Sequence, residues 1–266
     1  MCYRLTYRTG YNFKSLQEIE AHLELTTAGP STDWARTVAK RLKCFVCVGY
    51  PEHTILTANP TMGVQKYNSC VLVNPQGEVV TNYRKHFLFS TDETWAEEGK
   101  DGFFAGQIQG LGKIAIGICT FPGANMSANK LTLYVGMDLN PYKYLASFDK
   151  YEFANHVVNS QADLVILPMA WLTTLSSQSH IENAQIPDFD VLNYWVQRLS
   201  PLFDLGHNYS REITIVISNR VGAEGGCNFA GTSVVLGISK GDVKIYGRLG
   251  RGVEGLLVCT VPRQFP

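Results

Sequence analysis

Short apolar stretches alternate with amphipathic stretches along most of this chain. The apolar stretches are four to six residues long and rich in Val and Ile, which is typical of buried β-strands. Because such strands must pair side by side, the pattern predicts a protein built around β-sheet. The predicted strands cover residues 45–49, 69–73, 79–83, 113–118, 163–167, 212–217, 232–237 and 243–246.

Helices are predicted between several of these strands. Ser15 and Glu18 have the spacing of a capping box, which marks a helix start. The segment Asn74-Pro75-Gln76-Gly77 lies between two strands and predicts a hairpin turn. Strands interleaved with helices and hairpins indicate an α/β protein with mixed sheets. The predicted helices cover residues 15–23, 31–42, 150–160 and 189–202.

Length and charge exclude several classes of protein. The 266 residues contain no linker or repeat, which favours one domain over residues 1–266. Lys and Arg together number 23, as do Asp and Glu, so no bulk attraction to nucleic acid or to an anionic membrane is expected. We predict no membrane span and no secretory leader, because the chain has no 18-residue apolar run and no charged-then-apolar start.

Cysteine and histidine usage indicates a cytoplasmic protein without a metal. Seven cysteines, an odd number in a chain this long, suggest reduced thiols. Cys44 and Cys47 have redox-pair spacing, but they lie in a strand-like stretch where residues three apart point to opposite faces, which favours a structural role. The six histidines form no close ligand pairs, so we predict no metal and no cofactor.

Candidate chemistry lies where strands end. Lys85 and Cys119 follow two predicted strands, and Glu93 lies eight residues after Lys85 in a polar loop. Strand ends feeding loops are where α/β folds place reactive groups, and a cysteine near a cation can form a thiolate. Taken singly, a cysteine after an apolar strand is more often a core residue and a lysine is usually solvated. These residues alone therefore leave the function open.

Several motifs carry a family resemblance. The sequences NYRKHFLF, GIC, LPMAW, NRVGAE and FAGTS resemble the nitrilase superfamily of carbon-nitrogen hydrolases, in order and at plausible spacing. The sequences TGYNF, MDLNPYK and YEFANH resemble the fungal branch that deamidates N-terminal asparagine and glutamine. The motifs occupy residues 82–89, 117–119, 167–171, 219–224, 229–233, 9–13, 137–143 and 151–156.

The resemblance implies a fold and a mechanism. The expected fold is a four-layer α-β-β-α sandwich with the active site at one end of its two sheets. Cys119 is the expected nucleophile, Lys85 the oxyanion stabiliser and Glu93 a supporting carboxylate. Asp138 and Trp171 are expected to bind substrate, although Trp171 is equally compatible with a core position. The expected partners are protein N-termini bearing Asn or Gln, and no cofactor is required.

Two alternatives remain open. One is a nitrilase-family amidase acting on a small metabolite, and the other is a catalytically dead member that only binds. The catalytically dead member is favoured in part by a missing general base. The resemblance implies a glutamate in a Leu-Pro-Glu motif just before residues 9–13, but Arg4-Leu5-Thr6-Tyr7-Arg8 contains no carboxylate. We therefore expect an N-terminally truncated domain that lacks this base and its first strand or strands.

A second departure follows the nucleophile. In the family, a turn of the type Met-Asp-Leu-Asn-Pro-Tyr follows the cysteine directly, but here 17 residues, Thr120 to Gly136, intervene. Codon degeneracy allows an in-frame intron whose 51 nucleotides end at Gly136 and whose removal restores a cysteine codon before Met137. The segment is expected to be either a retained intron or a genuine insertion, and in either case a poorly packed loop.

Overall fold

The computed structural model describes residues 2–4, 10, 13–55, 64–88, 90–120, 138–204 and 211–262. The backbone forms two compact units, Met1–Gly102 and Phe103–Pro266, where we predicted one domain. Each unit contains one of the two larger sheets and is described by itself. The predicted insertion lies outside the described residues except for Thr120.

The first unit is built on a five-stranded sheet in which β3 is central. The strands run in the order β1-β3-β4-β5, and β2 also pairs with β3. The short strands β1 and β2 are parallel to β3, whereas β3, β4 and β5 form an antiparallel meander. Its elements are β1 (Cys2–Arg4), α1 (Leu16–Ile19), β2 (Glu24–Leu25), α2 (Pro30–Leu42), β3 (Val46–Ile55), β4 (Val64–Val73) and β5 (Val79–Arg84).

Local sequence explains the helices and turn of this unit. Ser15 Oγ accepts a hydrogen bond from the Glu18 backbone N–H, so the predicted cap of α1 is confirmed. The second helix begins at Pro30, slightly earlier than predicted, because proline suits the first helical position. The predicted hairpin is confirmed, since Asn74 Oδ1 accepts hydrogen bonds from the backbone of Gln76 and Glu78.

A short strand lies at one edge of this sheet. Residues 2–4 form β1, in register with residues 46–48 of β3. The structure therefore contains a parallel strand at this edge. The expected N-terminal truncation stays a prediction.

The second unit is built on a seven-stranded mixed sheet. Its order is β14-β13-β10-β9-β7-β6, and β8 also pairs with β9. Strands β7, β8, β9 and β10 are parallel where they pair, so their carboxyl ends lie at one edge. The strands of this sheet are β6 (Phe104–Ile108), β7 (Gly112–Ile116), β8 (Cys119–Thr120), β9 (Leu164–Ala170), β10 (Ile213–Asn219), β13 (Val234–Ser239) and β14 (Asp242–Arg248). Two further strands, β11 (Val221–Glu224) and β12 (Cys227–Ala230), form a separate two-stranded sheet.

Three helices accompany this sheet, and its core is aromatic and aliphatic. The helices are α3 (Glu152–Ser160), α4 (Ser177–Glu182) and α5 (Phe189–Arg198). Phe153 of α3 and Trp195 of α5 are fully buried in the cluster that also contains Leu167 and Ile215 of the sheet. Burial of this apolar surface is the main force that holds the helices to the sheet.

A hairpin missed by the sequence analysis extends the edge beyond β10. The predicted strands did not include β11 and β12, which pair antiparallel on either side of Gly225 and Gly226. Both glycines have positive φ, 58° and 82°, which matches a two-residue type I′ turn. The pattern was too short to show as two strands. In the described part of the chain, no helix is long and apolar enough to span a membrane.

Candidate active site

Lys85 lies immediately after β5 and its side chain is fully buried. Its Nζ donates a hydrogen bond to Asp92 Oδ2 at 2.5 Å, and Asn68 Nδ2 donates to Asp92 Oδ1 at 3.2 Å. Asp92 is itself buried, at the start of the 3-10 turn Asp92–Thr94. Because an unpaired buried charge is costly, this arrangement holds the ammonium group in a defined place.

The carboxylate that pairs with Lys85 is Asp92, seven residues further along the chain. Glu93, which we predicted as a supporting carboxylate, stays a prediction. The Glu93 side chain is exposed on the same short turn. A spacing of seven or eight residues across an irregular loop does not determine which of two adjacent carboxylates faces inward, so this detail required the structure.

The backbone around Lys85 is also held. The Lys85 N–H donates to the Asn68 carbonyl at 2.8 Å, and the Gly99 N–H donates to the Lys85 carbonyl at 2.8 Å. A Cβ at Gly99 would lie 2.3 Å from the Arg84 carbonyl oxygen, so only glycine fits there without displacing the end of β5. These contacts fix where the lysine leaves the strand.

A second buried carboxylate, Glu52 of β3, anchors the neighbouring residue. Its oxygens accept hydrogen bonds from Arg84, Ser69, Thr26 and Asn82, with the shortest Arg84 contact at 2.6 Å. Burial by itself raises the pKa of Glu52, but hydrogen bonds from these side chains outweigh it and lower the pKa below its ordinary value. A carboxylate with so many donors is a structural anchor and not a proton acceptor.

Cys119 begins the short strand β8 in the second unit, and its side chain is buried. It is in register with Met169 of β9, which is in turn in register with Asn219 of β10. Neighbouring strands lie about 4.8 Å apart, so the ends of β9 and β10 flank the cysteine on one side. Cys119 thus comes three residues after the end of β7, near the end of the predicted strand 113–118.

Asp138 is buried beside the cysteine and holds the backbone there. Its Oδ2 accepts a hydrogen bond from the Ile118 N–H at 2.7 Å, and its own N–H donates to the Ile118 carbonyl at 3.4 Å. The structure shows a positioning contact, made by a carboxylate with no exposed surface. Our prediction that Asp138 also binds substrate stays a prediction.

Trp171, which we predicted to bind substrate or to occupy the core, packs in the core in this structure, and its role in binding stays a prediction. It is 2% exposed, and its ring packs on Tyr194 and Trp195 at centroid distances of 5.5 and 5.8 Å. Its backbone is held by the Asn219 side chain, which accepts from the Trp171 N–H at 2.7 Å and donates to its carbonyl at 3.2 Å. The residue therefore stabilises the sheet edge from inside.

Three residues of this site were missed by the sequence analysis. Asn68, Asp92 and Asn219 each bond to a predicted site residue or its backbone. Asn219 is the first residue of the NRVGAE motif, so its place in a motif was a usable signal. Asn68 and Asp92 gave none beyond being polar. Among the described residues, no group of three His, Cys, Asp or Glu side chains is placed to hold a metal ion.

The structure thus brings Lys85 together with Asp92 in the first unit, and Asp138 together with Ile118, the residue before Cys119, in the second. In the first unit the backbone of Lys85 is held by Asn68 and Gly99, and in the second the backbone of Ile118 is held by Asp138. By its chemistry, a buried ammonium group is suited to stabilise an oxyanion and a buried thiol is suited to act as a nucleophile.

Comparisons with known proteins agree with this chemistry. The family model of the carbon-nitrogen hydrolases matches residues 6–122. Protein N-terminal amidase of Schizosaccharomyces pombe is 34% identical over 263 residues, which cover 94% of this chain and 82% of that protein.

Solved structures show the same fold. A crystal structure of N-terminal amidase has a TM-score of 0.74 at 22% identity and covers 98% of this chain and 90% of that chain. Another crystal structure, of N-terminal amidase with an Asn-Glu-Ala peptide, has a TM-score of 0.72 at 23% identity. It covers 96% of this chain and 87% of that chain. The predicted α/β fold of the nitrilase type is confirmed. The chain belongs to the carbon-nitrogen hydrolase superfamily, in its branch of protein N-terminal amidases.

Proposed function

We propose that this protein hydrolyses the side-chain amide of an N-terminal asparagine or glutamine, releasing ammonia and leaving aspartate or glutamate. The observation that carries this proposal is the 34% identity with an N-terminal amidase over 94% of the chain. The bound Asn-Glu-Ala peptide in a protein of the same fold supports the substrate class. Modified N-termini of this kind would feed N-degron protein turnover.

The chemistry assigns one role to each reactive side chain. The Cys119 sulfur attacks the amide carbon, and the Lys85 ammonium donates to the oxyanion of the tetrahedral intermediate. The C–N bond then breaks and the nitrogen leaves as ammonia, carrying the thiol proton. Water hydrolyses the resulting thioester, which restores the thiol and releases the carboxylic acid. No cofactor takes part in these steps.

The supporting residues hold these two groups in place. Asp92 pairs with the Lys85 ammonium, and Asp138 holds the backbone N–H that precedes Cys119. We assign both as positioning residues. Glu93 is exposed on the same turn, and its role as a supporting carboxylate stays a prediction. Residues 4–8 contain no carboxylate that matches the family's general base.

We also propose that residues 120–136 are an insertion that the enzyme does not need. The two residues that flank the junction, Ile118 and Asp138, already bond to each other in both directions. If Met137 followed Cys119 directly, the same bond from the Asp138 N–H to the Ile118 carbonyl would close an ordinary four-residue turn.

We place the enzyme in the cytoplasm, where its cysteines would stay reduced.

Ammonia release from matched peptides tests the function. The substrates are a peptide with a free N-terminal Asn, the same peptide acetylated, and a small free amide such as propionamide. We expect ammonia only from the free N-terminal peptide, and none from Cys119→Ala. Release mainly from the small amide would favour the metabolite amidase. Binding of the peptide without release, even after residues 120–136 are removed, would favour the dead family member.

Lys85→Ala separates the oxyanion role from the nucleophile role. Loss of an oxyanion donor typically costs about 10²- to 10³-fold in rate, so we expect a drop of that size in kcat. Cys119→Ala should abolish turnover instead. Equal activity of Lys85→Ala and the wild-type protein would contradict the assignment of Lys85.

A further inference from the structure

Helix α5 presents two polar side chains to the segment that follows the nucleophile. Tyr194 and Arg198 are four residues apart and therefore lie on one face of the helix. The Tyr194 hydroxyl donates to Asn140 Oδ1 at 2.7 Å, and Arg198 Nε donates to the Leu139 carbonyl at 2.9 Å. One helix face thus holds two consecutive residues, Leu139 and Asn140.

Arg198 makes further contacts with the same segment. It is fully buried, and its Nη1 donates to the Phe148 carbonyl. Its guanidinium lies over the rings of Phe148 and Tyr151, at 4.6 and 4.8 Å from their centroids, and its Nη2 is 3.8 Å from Glu152 Oε2. Burial of a guanidinium is costly unless it is paired, so these contacts to residues 139–152 are what retains it there.

The held segment begins directly after Asp138. Asp138 is bonded to the Ile118 N–H, and Ile118 precedes Cys119 in the chain. Contacts therefore run from α5 to Leu139 and Asn140, through the adjacent Asp138, to the backbone at the cysteine. Each link is a hydrogen bond or a peptide bond. Asp138, Leu139 and Asn140 belong to the MDLNPYK motif, whereas Tyr194 and Arg198 belong to no motif and only the fold brings them to this segment.

We infer that Tyr194 and Arg198 are positioning residues for the nucleophile, acting through residues 138–140. This inference rests on the proposed function, because it takes Cys119 to be the nucleophile. Loss of either contact lets Asp138 shift, and the backbone of Ile118 and Cys119 shifts with it. A displacement of about 1 Å at a reacting group can cost on the order of 10²-fold in rate.

The test compares Tyr194→Phe and Arg198→Lys with two matched controls. Tyr246→Phe removes a hydroxyl that donates to Glu212 at 2.6 Å, and Arg211→Lys alters an ion pair with Asp163, both away from residues 138–152. The first readout is hydrogen exchange at the Ile118 amide, measured by NMR or by mass spectrometry of short peptides. The second is kcat and KM for ammonia release from an N-terminal Asn peptide.

We expect exchange at the Ile118 amide to rise about tenfold or more in Tyr194→Phe and Arg198→Lys, and not in the controls. We expect kcat to fall by about 10- to 100-fold with KM changed less than threefold. Unchanged exchange and kcat in Tyr194→Phe, which loses one hydroxyl and should fold, would overturn the inference. If the wild-type protein releases no ammonia, the proposed function fails, but the exchange measurement still decides whether the positioning contacts exist.

Discussion

The Asp138 carboxylate accepts a hydrogen bond from the Ile118 N–H at 2.7 Å, although the two residues are 20 positions apart. The return bond, from the Asp138 N–H to the Ile118 carbonyl, is 3.4 Å long. Two bonds therefore join Ile118 and Asp138, which precede and follow residues 119–137 in the chain. The local geometry at the nucleophile is therefore compatible with a chain in which Met137 follows Cys119 directly.

Deletion of residues 120–136 tests this relationship. We expect the shortened protein to fold, to melt at the same or a higher temperature, and to release ammonia at least about tenfold faster than the full chain, because the nucleophile turn is then closed by a short connection. Calorimetry and an ammonia assay measure both. In parallel, cDNA sequencing should find a major message that lacks these 51 nucleotides.

Two results would contradict the insertion hypothesis. One is a shortened protein that is unfolded or less active than the full chain. The other is retention of the 51 nucleotides in all messages under every growth condition. A deletion of the same kind within the described hairpin of residues 221–230 serves as the control for general damage.

Asp92 and Glu93 form a matched pair for the contact with Lys85. We expect Asp92→Asn to destabilise the protein by about 3–5 kcal/mol, because it leaves the buried Lys85 ammonium without its charge partner. It should also lower kcat. Glu93→Gln, one residue away and exposed, should change the free energy of unfolding by less than about 0.5 kcal/mol. Denaturant titration compares the two, and equal effects would reverse the assignment of Asp92.

The pKa of Glu52 predicts how stability depends on pH. Hydrogen bonds from Arg84, Ser69 and other side chains outweigh burial and hold this pKa below its ordinary value of 4.5. Glu52 therefore contributes stability that is present above about pH 4.5 and is lost as the pH falls through the lower folded-state pKa. We expect the difference in unfolding free energy between the wild-type protein and Glu52→Gln to shrink between pH 5 and pH 3. Urea denaturation across this range measures it, and a difference that grows toward acid would contradict the assignment.

Trp171 should affect stability more than substrate binding. Because it is buried against Tyr194 and Trp195, we expect Trp171→Ala to cost about 3–5 kcal/mol in unfolding free energy. Trp171→Phe, which keeps an aromatic ring, should fold with KM changed less than threefold. A large rise in KM for Trp171→Phe with unchanged stability would instead favour the prediction that this residue binds substrate.

The sequence alone predicted most of the strands and helices, and its motifs identified the family. Strands such as residues 79–83 and 113–118 were predictable because short apolar runs that contain Val and Ile are typical of buried β-strands. The positions of Lys85 and Cys119 followed from those strands, and the family from motifs around them. The helix cap at Ser15 and the hairpin at Asn74 were predictable because each depends on residues within four positions.

Only the tertiary structure decided which neighbours face these residues. The choice of Asp92 over Glu93, the burial of Trp171 and the contact of Asp138 with Ile118 all depend on segments that are distant in sequence or on irregular loops. The pairing of Arg198 with residues 139–152 is of the same kind. In a helix or strand, the number of residues between two side chains predicts whether they point the same way. In an irregular loop there is no such relation, so these contacts leave no pattern in the sequence. They are determined by how the strands and helices pack, which no local pattern records.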